Sequence, residues 1–312
     1  MRKVLSIFII SLFVLAGCAP AFSLEAPGGA DSEVTEVKEP SELTVGVSVS
    51  TLSNPFFVSL EDGITTLANE NDTTIISVDA QDDSAKQTND VDDLIQQGVD
   101  VILINPVDSA AIAPAVEAAN SAGIPVIMVD RATDAGEYVT LVASDNVAGG
   151  EMAAQYIVDQ VGENASTLQL EGVPGASATN ERGEGFTNVA ETSLNVLDSQ
   201  TANFDRAQGL TVMENMLQGN SDVQAVFAQN DEMALGAIEA IEGAGLSNQI
   251  TVVSFDGTEG GIKAVEDGSL AATIAQQPDE MGRLALQAAY DFYAGQEIPE
   301  KIDSPLELVT KD

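Results

Sequence analysis

Residues 99–130 read VDVILINPVDSAAIAPAVEAANSAGIPVIMVD and spell out one strand–helix–strand unit. The two apolar runs, VDVILIN (99–105) and IPVIMVD (124–130), are rich in β-branched residues and too short for helices. Between them Ile112, Val116 and Ala119 share one helical face, and Gly123 stops the helix. Strands that are apolar throughout must be covered on both faces. A helix linking two of them is the crossover that parallel neighbours require.

The same grammar extends in both directions. Upstream, LTVGVSVS (43–50) reads as a strand, then a helix presents Phe57, Leu60, Ile64, Leu67 and Ala68. TTIISVD (73–79) precedes a helix with Val91, Leu94 and Ile95 inward and Gly98 at its end. Downstream, the helix faces are Met152, Ala153, Tyr156 and Ile157; then Phe186, Val189 and Ala190; then Leu210, Met213 and Leu217; then Leu235, Ile238 and Ile241. They alternate with STLQLEG (166–172), NVLDSQ (195–200), VQAVFAQ (223–229) and ITVVSFD (250–256). A last long helix carries Met281, Leu284, Ala285, Ala288 and Phe292. About ten such units exceed one comfortable sheet, so the pattern predicts an α/β protein with two doubly wound parallel-sheet lobes. The Gly172-Val173-Pro174-Gly175 and Glu184-Gly185 stretches read as plain turns.

Polar residues cluster where strands end. Thr51-Leu52-Ser53-Asn54-Pro55-Phe56-Phe57, Asn105-Pro106, Asp130-Arg131, Asn230-Asp231-Glu232, Asp256-Gly257 and Gln276-Gln277 each follow an apolar run. Open parallel sheets bind ligands outside the carboxyl ends of their strands. Carboxylate, guanidinium, carboxamide and phenyl groups gathered there suit a neutral polyhydroxy ligand. Each hydroxyl can donate to Asp, accept from Arg and do both with Asn or Gln, while phenyl rings cover C–H faces. A phosphorylated ligand would call for a glycine-rich loop, and neither GxGxxG nor GxxxxGK[ST] occurs. Plainer roles compete for the same residues. Asp130-Arg131 could be a surface ion pair, Phe56-Phe57 core packing, and Asn54, Asn230 and Gln276 turn or cap residues.

Composition narrows the chemistry. The 312 residues carry 11 Lys+Arg against 50 Asp+Glu, a formal charge of −39, with no His, no Trp and one Cys. Such acidity repels nucleic acid. Without His there is no imidazole acid–base chemistry, and one Cys makes neither an internal disulfide nor a thiolate cluster. No cofactor and no metal are expected. The scarce arginines, at Asp130-Arg131 and in Glu181-Arg182-Gly183, stand out as candidates for a role.

The N-terminus sets the compartment. Arg2 and Lys3 precede a 13-residue apolar stretch, Val4 to Ala16, too short to span a bilayer and suited to a secretory signal over 1–17. It ends in Leu15-Ala16-Gly17-Cys18, which resembles the lipobox of bacterial lipoproteins, whose Cys is diacylated and becomes the new N-terminus. Two acyl chains suffice for stable anchoring. A buried Cys after an anchor helix is the plainer alternative. Residues 19–42 hold six acids, one Lys and three Pro without helical or strand period, so 18–42 reads as a flexible tether, with the body starting near Leu43.

The runs STLSNPFF, INPVDS, VDR, ASDN, ERGEGF, FDR, VFAQNDEMALGA, FDG and LAATIAQ occur in this order from Leu43 onward. In that order and spacing they resemble the periplasmic D-ribose-binding family, the substrate-capture subunits of bacterial ABC sugar importers. The resemblance covers essentially the whole body and implies the type I periplasmic-binding-protein fold with a three-crossover hinge. It implies one lobe from 43–144 plus 277–305 and another from 145–276 plus 306–312. Position by position it implies sugar contacts at Asn54, Phe56, Phe57, Asp130, Arg131, Arg182, Phe204, Asn230, Asp256 and Gln276. The implied partners are D-ribose and a membrane permease, with a chemoreceptor as a further reader of the closed form, and the implied state is a monomer outside the cytoplasm.

Three rivals compete with that reading. A carboxylate-pair glycosidase or isomerase would use Asp130 and Asp256, but Arg131 and Arg182 are expected to hold both ionised rather than raise one. A sugar-responsive repressor would need a basic helix-turn-helix where the signal and acidic tether stand. A binder of allose, xylose or a signalling furanose is the serious competitor. With a neutral ligand, the excess acid belongs on the outer surface, which suggests adaptation to high salt, with a Ca²⁺- or other metal-binding role as the weaker alternative.

Overall fold

The computed structural model describes residues 37–311, so the signal segment 1–17, Cys18 and most of the tether lie outside the described residues. The chain builds two six-stranded sheets. In chain order the elements are β1 (Thr44–Val49), α1 (Pro55–Glu70), β2 (Thr74–Asp79), α2 (Ser84–Gln97), β3 (Val101–Ile104), α3 (Ala113–Ser121), β4 (Val126–Val129) and β5 (Leu141–Ser144). Then follow α4 (Asn146–Val161), β6 (Ala165–Glu171), α5 (Ser177–Ser193), β7 (Leu194–Thr201), α6 (Arg206–Gly219), β8 (Ala225–Ala228) and α7 (Asp231–Gly243). The chain ends with β9 (Thr251–Asp256), α8 (Glu259–Asp267), β10 (Ala272–Ala275), α9 (Pro278–Tyr293), β11 (Lys301–Ser304) and β12 (Glu307–Thr310).

The first sheet runs β11-β5-β4-β3-β1-β2 and the second β12-β10-β9-β8-β6-β7. Every pairing is parallel except β10 with β12, which is antiparallel. Side chains alternate across the pleat, so Val45, Val47, Leu103 and Ile127 pack under α1 and α9. Ile102, Ile104, Val126 and Met128 pack on the other face with α2 and α3. In the second lobe, α4 and α5 share a core with Phe227, Val253 and Phe255, while α6, α7 and α8 cover the opposite face. The chain passes between the lobes three times: after β5, after β10, and between β11 and β12.

Four features depart from the sequence reading. The short strands β5, β11 and β12 and the nine-residue α8 have no counterpart among the segments read from periodicity. β11 and β12 are sheet edges with partly exposed patterns, so they carry no apolar run. α8 contains Gly260-Gly261, poor helix formers, and starts on Thr258, whose Oγ1 accepts from Gly261 N at 3.1 Å. Glu184-Gly185 is not a turn but lies inside α5. A Cβ on Gly185 would stand 1.9 Å from the Val147 carbonyl oxygen, so the glycine is there to let α4 and α5 touch. Finally, residues just before Leu43 already pack on the body: Lys38 pairs with Asp100, and Pro40–Glu42 form a 3-10 turn.

Candidate functional site

Each sheet reverses its strand order beside its first strand, β1 in one lobe and β6 in the other, and the crevice at the strand C-termini faces the opposite lobe. A cavity between the lobes is lined by Asn54, Phe56, Phe57, Asp130, Arg131, Ala178, Arg182, Phe204, Asn230 and Asp256. Nine of the ten expected contact residues are therefore brought together. Gln276 stands one layer behind, donating from Nε2 to Asp256 Oδ1 at 3.0 Å.

Local structure explains each placement. Asn54 caps α1, its Oδ1 accepting from Phe56 N at 2.9 Å, and Pro55 opens the helix. Asn230 caps α7 in the same way, accepting from Met233 N at 2.9 Å. The cap and the cavity-lining roles thus coincide in one residue. Phe56 and Phe57 meet edge-to-face with centroids 5.2 Å apart; both belong to the core and to the cavity wall. Phe204, with φ +59°, lies against Gly172, where a Cβ would stand 2.0 Å from its ring. Asp130 and Asp256 also hold positive φ, +64° and +115°, an uncommon conformation for residues other than glycine.

The electrostatic pairs are internal to each lobe. Arg131 lies 3.4 Å from Asp130 and donates through Nη1 to Pro106 O at 3.0 Å. Arg182 lies 3.4 Å from Asp256, donates through Nη1 to Gln229 O at 2.6 Å and through Nε to Asn146 Oδ1 at 2.9 Å. The guanidinium groups also stack. Arg131 lies 5.1 Å from the Phe57 centroid and 5.3 Å from that of Phe204 across the cleft. Arg182 lies 3.8 Å from the Phe255 centroid. The surface-pair alternative for Asp130-Arg131 fails, since both residues are buried.

Burial changes the protonation balance from the one expected. Desolvation pushes the Asp130 carboxyl up despite Arg131, Arg182 and Asn105. It pushes Asp256 up to about 8 despite Arg182. It also lowers Arg131, against the pull of Asp130. The arginines therefore do not hold both acids in the ordinary carboxylate range, because removing water costs more than one cation at 3.4 Å restores.

Three buried site atoms, Asp130 Oδ1, Arg131 Nε and Gln276 Oε1, find no hydrogen-bonding partner within the protein. Two are acceptors and one is a donor, the combination that hydroxyl groups satisfy. Periodicity and motif reading missed Phe255, the platform under Arg182; Asn105, read as one of the polar residues after a strand but not as a contact, donates to Asp130 Oδ2 at 3.2 Å. Phe255 directly precedes Asp256 at the end of β9, and that position is the signal that could have found it.

The lobes touch beside the cavity. Ser109 N donates to Gly175 O at 3.0 Å and Ala132 N to Ser177 Oγ at 3.0 Å. Among the described residues, no group of three or more His, Cys, Asp or Glu could hold a metal ion, and no helix is long and apolar enough to cross a membrane.

Residues 45–297 match the family described as "Periplasmic binding protein domain". The chain is 53% identical to the ribose import binding protein of Bacillus subtilis (strain 168), covering all of both chains. It is 50% identical to the ribose import binding protein of Escherichia coli (strain K12) over 86% of this chain and 90% of that one. A solute-binding protein of Actinobacillus succinogenes 130z, solved with bound D-allose, superposes with a TM-score of 0.81 at 32% identity, over 86% of this chain and 98% of that one.

Proposed function

The chain belongs to the periplasmic binding protein domain family, and from that premise we propose that it captures D-ribose between its lobes and hands it to the permease of an ABC importer. The observation that carries the reading is that Asp130 Oδ1 and Arg131 Nε are buried without a hydrogen-bonding partner beside a wall of Phe56, Phe57 and Phe204, with Gln276 Oε1 likewise unsatisfied one layer behind. A sugar supplies hydroxyls to the polar atoms and C–H faces to the rings. Identities of 53% and 50% to two ribose import binding proteins favour ribose over allose, the ligand of the more distant structure. The ten contacts proposed are Asn54, Phe56, Phe57, Asp130, Arg131, Arg182, Phe204, Asn230, Asp256 and Gln276.

The mechanism follows from the three crossings. Bending there separates the lobes, and only the closed arrangement brings Asp130-Arg131 of one lobe opposite Arg182 and Asp256 of the other. Ribose therefore binds the closed state better and shifts the population toward it. Cys18, diacylated after removal of 1–17, would tether the protein to a membrane outside the cytoplasm, in the periplasm or on the outer face of the cell membrane, and the closed face presented to the permease would span both lobes. A chemoreceptor would read that same face. The protein acts as a monomer and as a carrier rather than an enzyme.

A thermal-shift panel of pentoses and hexoses tests the ligand. D-ribose is expected to give the largest rise in Tm; a rise with allose or xylose and none with ribose would refute the assignment. Repeating the panel from low to molar NaCl tests the salt reading. Among the described residues the only buried carboxylates are Asp130, Asp231 and Asp256, so the excess acid lies outside. Screening should raise Tm across the molar range, and a flat or falling Tm would contradict adaptation to salt.

Closure should also depend on pH. In the closed arrangement burial pushes Asp256 up to about 8, whereas an exposed carboxyl in an open cleft ionises near its ordinary value. Closing thus takes up a proton between those two values. The contribution of Asp256 to the closed form is complete below the ordinary carboxylate range and is lost as pH rises through about 8. Small-angle scattering on sugar-free protein should show a larger radius of gyration at pH 9 than at pH 5.5. The opposite trend would contradict this account.

A further inference from the structure

Of the three carboxylates buried among the described residues, two line the cleft and the third, Asp231, does not. It is 0% exposed and opens α7, one residue after the cap Asn230. Four donors surround it. Oδ1 accepts from Ser254 Oγ at 2.5 Å and Thr273 Oγ1 at 2.9 Å. Oδ2 accepts from Thr258 N at 2.7 Å and Thr258 Oγ1 at 2.8 Å. Gly261 stands so close that a Cβ there would fall 2.1 Å from Oδ2.

The partners are not scattered. Ser254 lies on β9 two residues before Asp256, and Thr258 lies two residues after it, as the cap of α8. Thr273 lies on β10 three residues before Gln276, and its Oγ1 also accepts from Gly257 N at 3.2 Å. One carboxylate therefore grips the chain on both sides of Asp256, the strand leading to Gln276, and the turn carrying Asn230. Asp256 needs that grip. Its φ of +115° is costly for a residue with a Cβ and persists only where the surroundings over-determine it. A structural role alone would be met by an apolar side chain filling the same space; fixing three loop ends at once calls for an acceptor with four lone-pair directions.

We propose that Asp231 is a positioning residue for the sugar, its carboxylate setting the placement of Asn230, Asp256 and Gln276 without itself touching the ligand. The proposal rests on the ribose-binding reading and adds to it a residue behind the cavity wall. Its function is to keep Asp256 preformed, so that binding does not have to order that turn.

Calorimetry with D-ribose on Asp231→Asn, Thr258→Ala and Thr258→Ser, alongside urea unfolding of each, tests it. The amide in Asp231→Asn keeps shape and volume but cannot accept from all four donors. Its Kd for ribose should rise about tenfold or more under conditions where unfolding curves show the variant fully folded. Thr258→Ala should weaken binding in the same direction, and Thr258→Ser, which keeps the hydroxyl, should restore it. Met216→Ala, a core change in α6 away from the cleft, should lower stability and leave Kd unchanged. If Asp231→Asn and Thr258→Ala lose stability but bind ribose as the parent does, Asp231 is structural only and the proposal is overturned. If the parent itself does not bind ribose, the failure is that of the ligand assignment. Should Asp231→Asn not fold, the Thr258 pair decides alone.

Discussion

Arg131→Ala and Asp256→Ala should each weaken ribose binding by about 30-fold to several thousandfold, corresponding to roughly 2–5 kcal/mol. The size follows from what each change leaves behind. Without Arg131, Asp130 loses its cation at 3.4 Å, Pro106 O loses its donor, and Phe57 and Phe204 lose the group stacked between them across the cleft. Without Asp256, the Arg182 guanidinium and the Gln276 amide each lose a buried acceptor. In both cases a sugar hydroxyl also loses its partner in a place water does not reach. Calorimetry measures the loss, with circular dichroism confirming that the variants fold. Unchanged affinity in both would refute the site assignment.

The second large effect is on stability. Phe255→Ala should cost about 3–5 kcal/mol in urea unfolding, the range for removing a fully buried aromatic ring. Phe255 is 0% exposed and shares its cluster with Phe186 and Phe227. Gly149 of α4 packs on it so tightly that a Cβ would fall 2.4 Å from the ring. The same ring is the platform for Arg182, 3.8 Å from its centroid, so the core and the cleft are joined at this side chain. Phe255→Leu should recover most of the stability but not the affinity, because it fills the space without offering a π face. Equal recovery of both would show that the stacking contributes nothing to binding.

The contrast between Phe227 and Phe255 shows where the sequence stops being readable. Both sit in short apolar runs that fix β8 and β9. Nothing in period or composition says that Phe255 turns toward an arginine on α5 while Phe227 stacks on Phe186. Central strands were legible because they are covered on both faces and hence apolar throughout. The edges β11 and β12 were not, since half of each faces solvent and their pairing partners lie far away in sequence. The cleft residues were legible from their place after a strand. Their protonation was not, because it depends on how completely the lobes exclude water. Asp231 stood in plain view within Asn230-Asp231-Glu232, and only the fold separates the one that lines the cleft from the one that braces it.

The two last strands have a kinetic consequence. β11 completes the first sheet and β12 the second, and the two are consecutive elements of the chain. Each pairs with a strand distant in sequence, β11 with β5 and β12 with β10, so neither sheet can close from local segments alone. Neither sheet is therefore complete until this neighbouring pair of strands has docked, so the finishing of one lobe is coupled to the finishing of the other.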